Sequence, residues 1–134
     1  MADPDITPGF KCIPIEELPQ IWDGWAKLVR AGLGISSFGV QIIDFPPNHT
    51  TRSHDEADTG QEELYLALHG SGEIVIGDGE ARLRLDPDHV TRVGPGVQRT
   101  VVAGPEGVRM LVVGGVPGGI YTPPEWTAAP DRAS

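Results

Sequence analysis

The sequence lacks most of the features that mark an extracellular, nucleic-acid-binding or membrane protein. Its single cysteine, Cys12, cannot form a disulfide within the chain, so we expect a reducing, cytoplasmic environment. There is no run of Lys or Arg, and 10 basic residues against 19 acidic ones give a net charge of −9. Such an acidic surface repels phosphate groups, which predicts no nucleic-acid partner. No apolar stretch approaches the roughly 18 residues that a membrane helix needs, so we also predict no membrane association.

Glycine and proline are abundant instead, and the 18 Gly and 13 Pro lie mostly between short apolar segments. From residue 35 onward, runs of apolar residues with strand periodicity are separated by these turn formers. The predicted strands cover residues 38–43, 62–68, 73–76, 81–85, 89–93, 99–103 and 108–113. Short strands at this spacing indicate an all-β barrel or sandwich. For 134 residues we expect one domain, with a barrel core over about 34–116 and flexible ends at 1–9 and 127–134.

The two ends of the chain have other patterns. Residues 10–15 are predicted to form an edge strand. Apolar residues then recur at helical spacing, at Leu18, Ile21, Trp22, Trp25, Leu28 and Val29. This spacing predicts a helix over residues 19–31, with its two tryptophans packed across the barrel or at a dimer interface. Residues 116–126 show neither period, and we expect them along the outside, anchored by Tyr121 and Trp126.

The most informative segment runs from Asn48 to Gly70 and combines imidazole, carboxylate and glycine residues. Five residues separate Asn48 from His54, and one separates His54 from Glu56. Six residues separate Glu56 from Glu63, and six more separate Glu63 from Gly70. This spacing resembles the first motif of the cupin family, G-x5-H-x-H-x3-4-E-x6-G. The departures are Asn48 for the first glycine, Glu56 for the second histidine, and the longer gap before Glu63.

The first motif also has an alternative register. It places Arg52 and His54 in the H-x-H positions, and eight residues then precede Glu63. We prefer the first register, because its gap departs less from the family pattern.

A second segment resembles the second cupin motif, G-x5-P-x-G-x2-H-x3-N. Its positions fall on Asp88, residues 94–96, Arg99 and Ala103. The proline is displaced by one position, and Arg99 stands where the family has a histidine. The resemblance covers roughly residues 34–116 and implies a cupin jelly-roll β-barrel, so the predicted fold class is all-β with one N-terminal helix.

The cupin resemblance implies that His54, Glu56 and Glu63 converge inside the barrel, with His49 as a further candidate at its mouth. An imidazole and two carboxylates suit a divalent metal such as Fe, Mn, Ni or Zn. A dication would also relieve the repulsion between two buried carboxylates. His54 and Glu63 are the candidate catalytic residues, because either could transfer a proton.

Arg99 leaves three alternatives open, because a guanidinium has no acceptor and cannot ligate a metal. In the first alternative, a three-ligand metal site remains, and its other positions stay open to water or substrate. Alternatively, no metal binds and Arg99 pairs with Glu63 or Glu56. In the third alternative, Arg99 holds a substrate carboxylate through two hydrogen bonds. The other candidate substrate-binding residues are Arg52, Tyr65 and Gln41.

Two functional classes follow from the resemblance. The first is a metal-assisted enzyme acting on a carboxylate- or carbonyl-bearing metabolite, since similar cupins include dioxygenases, isomerases, cyclases and decarboxylases. The second is a metal-free cupin that only binds or senses a small ligand. Cupin sensors are often fused to a helix-turn-helix, for which this chain has no room, and this favours the enzyme. In both classes the partner is a small molecule, and the apolar surface of the tryptophans and the C-terminal segment predicts a homodimer.

Overall fold

The computed structural model describes residues 9–127, which form an antiparallel sheet with little helix. Its strands are β1 Gln20–Ile21, β2 Ala26–Lys27, β3 Gly39–Phe45, β4 Glu62–Ile76, β5 Ala81–Leu85, β6 Val90–Val93 and β7 Arg99–Gly115. One helix, α1, covers Val29–Leu33, and 3-10 turns cover Ile15–Glu17 and Glu125–Thr127. This confirms the predicted all-β fold with one N-terminal helix. The predicted flexible ends lie outside the described residues, except for Gly9 and Thr127.

The strands form one seven-stranded sheet in the order β1-β2-β3-β7-β4-β5, and β6 pairs with β4. Side chains alternate between the two faces of a strand, so Tyr65 and Ala67 of β4 are buried while Leu64 and Leu68 are exposed. The buried core consists of Ala26, Ile43, Phe45, Tyr65, Ala67, Ile74, Leu85, Val93, Val101, Ala103, Val108, Met110 and Val112. Within residues 9–127, no helix has the length and apolar character of a membrane span.

Strands β4 and β7 are each continuous where the sequence predicted two strands. They pair along their length, with shifts of register between Ala67 and His69 and between Gly70 and Gly72. Gly70 has a φ of +75°, a conformation that glycine adopts without steric cost. On β7, residues 104–107 lie opposite Gly70–Gly72 and have no paired residue on β4. The turn signals in both segments therefore mark a bulged bend, and the strands continue beyond it.

The predicted helix over residues 19–31 is wrong in its extent. Residues 20–27 form the β1–β2 hairpin, and only Val29–Leu33 are helical. The hairpin turn has positive φ angles at Trp22 (57°), Asp23 (54°) and Gly24 (89°). A right-handed helix cannot pass through these angles, so Ile21, Trp22 and Trp25 lie on a hairpin instead. The predicted strand over residues 10–15 is also not formed.

A partly buried ion cluster fixes this hairpin to the sheet. Lys27 is almost fully buried, and its Nζ donates to Oδ2 of Asp44 on β3 at 2.8 Å. Arg109 of β7 donates to both oxygens of Asp44, at 2.7 and 3.0 Å. The hydrogen bond from Arg109 exceeds the opposing effect of burial and, together with Lys27, lowers the pKa of Asp44. The hairpin is thereby held by charge-assisted bonds to two central strands.

Candidate functional site

A cavity of about 750 Å³ lies between the sheet, residues 49–56 and the tryptophan side chains. Its apolar wall consists of Trp22, Trp25, Ile43, Phe45, Val101, Met110, Val112 and Trp126. Its polar wall consists of Gln41, His49, Thr50, Thr51, Arg52, Ser53, His54, Glu56, Glu63 and Tyr65. All three tryptophans of the chain are in this wall. Most of the surface area of this wall is apolar, although many of its side chains carry a polar group. A mainly apolar surface with polar groups set in it is typical of sites that bind small organic molecules.

Aromatic rings form one side of the cavity. Trp22, at the tip of the hairpin, stacks on Trp126 with ring centroids 5.3 Å apart and 15° between the ring planes. This pair joins the hairpin to the C-terminal segment, and both rings are half-exposed. The His49 ring stacks on Phe45 with ring centroids 5.2 Å apart. It also makes a T-shaped contact with Trp25, with ring centroids 4.9 Å apart and the ring planes nearly perpendicular. The structure therefore places His49 within an aromatic wall.

Arg99 is fully buried and pairs with Glu63. Its Nη2 donates to Glu63 Oε1 at 2.8 Å, and its Nε donates to the Tyr65 hydroxyl at 3.2 Å. Its Nη1 donates to the carbonyl of Val97 at 2.8 Å. Tyr65 in turn donates its hydroxyl to Glu63 Oε1 at 2.6 Å. Arg99 is not among the cavity-lining residues, so its guanidinium lies behind Glu63 and Tyr65.

The Arg99–Glu63–Tyr65 network follows from the strands that carry it. Glu63 and Tyr65 are two residues apart on β4, so their side chains share a face. Arg99 begins β7, and its backbone exchanges hydrogen bonds with His54, at 2.9 and 3.0 Å. Burial, with the adjacent charge of Glu63, raises the pKa of Tyr65. The hydroxyl therefore keeps its proton and remains a donor to the carboxylate.

A second carboxylate, Glu56, faces the same cavity. His54 Nε2 lies 3.8 Å from Glu56 Oε2, and about half of the His54 side chain is exposed. Burial raises the pKa of Glu56, and the charge of Glu63 raises it further. The Glu56 carboxyl therefore keeps its proton to a higher pH than an ordinary glutamate does.

Comparisons with known proteins identify the fold. No protein-family profile matches the sequence, and no curated protein matches it. A cupin protein from Bacteroides fragilis is similar in structure, with 17% identity and a TM-score of 0.64 over 87% of this chain and 92% of that chain. An RmlC-like cupin protein from Desulfovibrio desulfuricans has 22% identity and a TM-score of 0.52 over 60% and 73% of the two chains. This chain has a cupin fold.

A cupin 2 conserved barrel domain protein from Salinispora arenicola is also similar, with 25% identity and a TM-score of 0.51. It aligns with 60% of this chain, over 64% of its own length. These similarities confirm the cupin barrel predicted from the two motifs. At such identities they show the fold, and one fold can carry many different chemistries.

The cupin resemblance implied a divalent metal, but the donor set does not fit one. Among residues 9–127, no three His, Cys, Asp or Glu side chains are grouped so as to hold a metal ion. Glu63 Oε1 already accepts two hydrogen bonds, and the guanidinium of Arg99 lies beside it where the family has a histidine. A metal cation at this point would be repelled by that guanidinium. His54, Glu56 and Glu63 thus line one cavity, and the predicted metal stays a prediction that their geometry does not support.

Most of the predicted site residues lie together in this cupin fold. The cavity is lined by Gln41, His49, Arg52, His54, Glu56, Glu63 and Tyr65. Arg52 is exposed. Residues 51–56 form no continuous strand, and only an isolated bridge joins His54 to Arg99. Arg52, His54 and Glu56 all reach the cavity, so its lining does not distinguish the two registers of the first motif.

The sequence did not assign the tryptophans to the cavity wall. Trp22 and Trp25 were placed on a helix, and Trp126 was placed on the outside of the barrel. The pair Asp23-Gly24 is a frequent turn signal and could have identified the hairpin. No sequence signal indicated that Trp126 stacks on Trp22.

Proposed function

We propose that this cupin binds a small organic molecule directly in its cavity, through its own side chains and without a metal. The supporting observation is the cavity itself, whose volume of about 750 Å³ falls within the roughly 300–1,000 Å³ of small-molecule sites. The Arg99–Glu63–Tyr65 network supports the metal-free form of the proposal, because Arg99 neutralises the carboxylate that would otherwise be the best metal ligand. A homodimer in the cytoplasm remains part of the proposal.

The predicted two-point contact between Arg99 and a substrate carboxylate required Arg99 to face the cavity. The guanidinium instead donates to Glu63, Tyr65 and the carbonyl of Val97. We therefore do not include a carboxylate-bearing ligand in the proposed function.

A metal-free proton-transfer enzyme is a second candidate, favoured by one observation. Glu56 has a raised pKa and faces the cavity beside His54, so an acid and a base stand within reach of one bound molecule. In that case Glu56 would donate a proton to the ligand or accept one from it. Binding in the cavity is common to both candidates and is tested first.

Titration with Nile red, a neutral dye that fluoresces in apolar sites, tests binding in the cavity. We expect saturable binding of the dye, with a change in tryptophan fluorescence because every tryptophan lines the site. Treatment with EDTA should leave the affinity unchanged. Gln41→Trp places a large ring where a cavity-lining side chain stands and should weaken binding by about tenfold or more, equal to about 1.4 kcal/mol.

Leu64→Trp is the matched control, because Leu64 is exposed on β4 and does not line the cavity. It adds the same ring outside the site and should leave the affinity unchanged. Loss of binding after EDTA would contradict the metal-free proposal. Equal binding by wild type and Gln41→Trp would show that the dye does not occupy the cavity.

A further inference from the structure

The two carboxyl groups that face the cavity differ in whether a basic side chain neutralises them. Glu63 is neutralised by Arg99, at 2.8 Å. Glu56 forms no ion pair with a Lys or Arg among the described residues; its contacts are with His54, at 3.8 Å, and with the hydroxyl of Thr59, at 3.4 Å. Only 19% of its side chain is exposed, so water solvates the carboxyl group only in part. A positive group entering the cavity would find in Glu56 a carboxyl group that no Lys or Arg of residues 9–127 neutralises.

No positive side chain among the described residues neutralises Glu56 inside the cavity. Arg99 lies behind the wall, and among residues 9–127 Arg52 is the only Lys or Arg that lines it. Arg52 is exposed, so its charge is largely screened by solvent. A negative group entering the cavity would meet Glu56 and would be repelled by its charge, whereas Glu63 is already neutralised by Arg99.

The aromatic wall also favours a positively charged ligand. The faces of tryptophan rings carry negative potential and attract ammonium groups. Trp22, Trp25 and Trp126 line the cavity together with Phe45, so an apolar body fits among these rings while its charged end reaches Glu56. The chain as a whole also has a net charge of −9, which draws cations toward it.

We propose that the ligand of this cavity is an organic cation, a protonated amine joined to an apolar or aromatic body. The ammonium group binds Glu56, and the body packs on the tryptophans. This proposal rests on the proposed function, because it names the class of molecule that the same cavity binds. It replaces the carboxylate-bearing class that the sequence suggested.

Isothermal titration calorimetry with three probes that share one aromatic body tests this class. The probes are phenethylammonium, phenethyl alcohol and hydrocinnamate, which are positive, neutral and negative. On the full chain we expect the cation to bind about tenfold or more tightly than the alcohol, and the anion to bind most weakly. Added salt should weaken binding of the cation and leave the alcohol unaffected.

Glu56→Gln should remove most of the preference for the cation while leaving the affinity for phenethyl alcohol unchanged. Glu62→Gln is the matched control, since it removes the same charge from a residue of β4 outside the cavity. Glu62 pairs with Arg92 and does not line the cavity. It should leave both affinities unchanged. If Glu56→Gln fails to fold, the preference of the wild-type chain alone decides the proposal.

Equal affinity for the three probes, or tightest binding of hydrocinnamate, would overturn the cationic class while leaving binding in the cavity intact. Binding of none of the three would also overturn it. The Nile red titration then shows separately whether the proposed function fails with it. An unchanged preference for the cation in Glu56→Gln would contradict the role of this carboxylate.

Discussion

Arg99→Ala is expected to lower the free energy of unfolding by about 3–5 kcal/mol, because it leaves a partly buried charge without its partner. The Arg99 side chain is completely buried, and only 14% of the Glu63 side chain is exposed. Truncation also removes the donor to the carbonyl of Val97 and the Nε donor to Tyr65. Urea denaturation monitored by circular dichroism measures the loss. Arg99→Lys should recover only part of it, since an ammonium cannot make the three separate contacts of the guanidinium.

Arg82→Ala is the matched control for this prediction. Arg82 donates to Glu73 at 2.9 Å, but both side chains are about half exposed. Exposed pairs contribute about 0–1 kcal/mol, so this variant should change stability little. A loss below about 1 kcal/mol in Arg99→Ala would mean that Glu63 is solvated or protonated without Arg99, and the buried network would not be the feature that stabilises this end of the cavity.

Gly70→Ala is expected to lower the free energy of unfolding by about 2–5 kcal/mol, the sum of a positive φ angle and an overpacked contact. Gly70 has a φ of +75°, and a Cβ at this position would overlap the carbonyl oxygen of Gly107 on the adjacent strand. That oxygen is part of the backbone, so it cannot move aside as a flexible side chain would. Thermal and urea unfolding measure the loss.

Gly34→Ala separates the two causes. Gly34 has nearly the same φ, +77°, but a Cβ there meets no atom within 4 Å. This variant should therefore lose only the conformational part, about 1–2 kcal/mol. Equal losses in the two variants would show that the contact between Gly70 and Gly107 adds nothing to the bend of β4.

The sequence predicted the strands where apolar and polar residues alternate between clear turns. The segment containing β5 is an example, since Leu83 and Leu85 alternate with Arg82 and Arg84 beside the turn at residues 77–80. It did not predict that β4 and β7 continue through their glycines, because glycine marks both turns and bulges. The hairpin at residues 20–27 was missed because its apolar spacing also fits a helix, and the buried pair between Lys27 and Asp44 joins residues far apart in the sequence.

For the site, motif spacing identified Glu63 and Arg99, which the adjacent strands β4 and β7 carry. It left open whether Arg99 faces a metal site, a carboxylate of the protein or a substrate. The choice depends on the Tyr65 hydroxyl, which donates to Glu63, and on the complete burial of Arg99. Both are consequences of tertiary packing that spacing along the chain does not encode.

The most direct test of the metal-free account is the metal content of the protein. The chain would be purified without a chelating tag, incubated separately with Mn, Fe, Ni and Zn, and freed of unbound metal before mass spectrometry. We expect well below one metal ion per chain, with no further decrease in His54→Ala or Glu63→Ala, because Arg99 already neutralises Glu63. One metal ion per chain in the wild type, lost in both variants, would contradict the account and establish His54 and Glu63 as metal ligands.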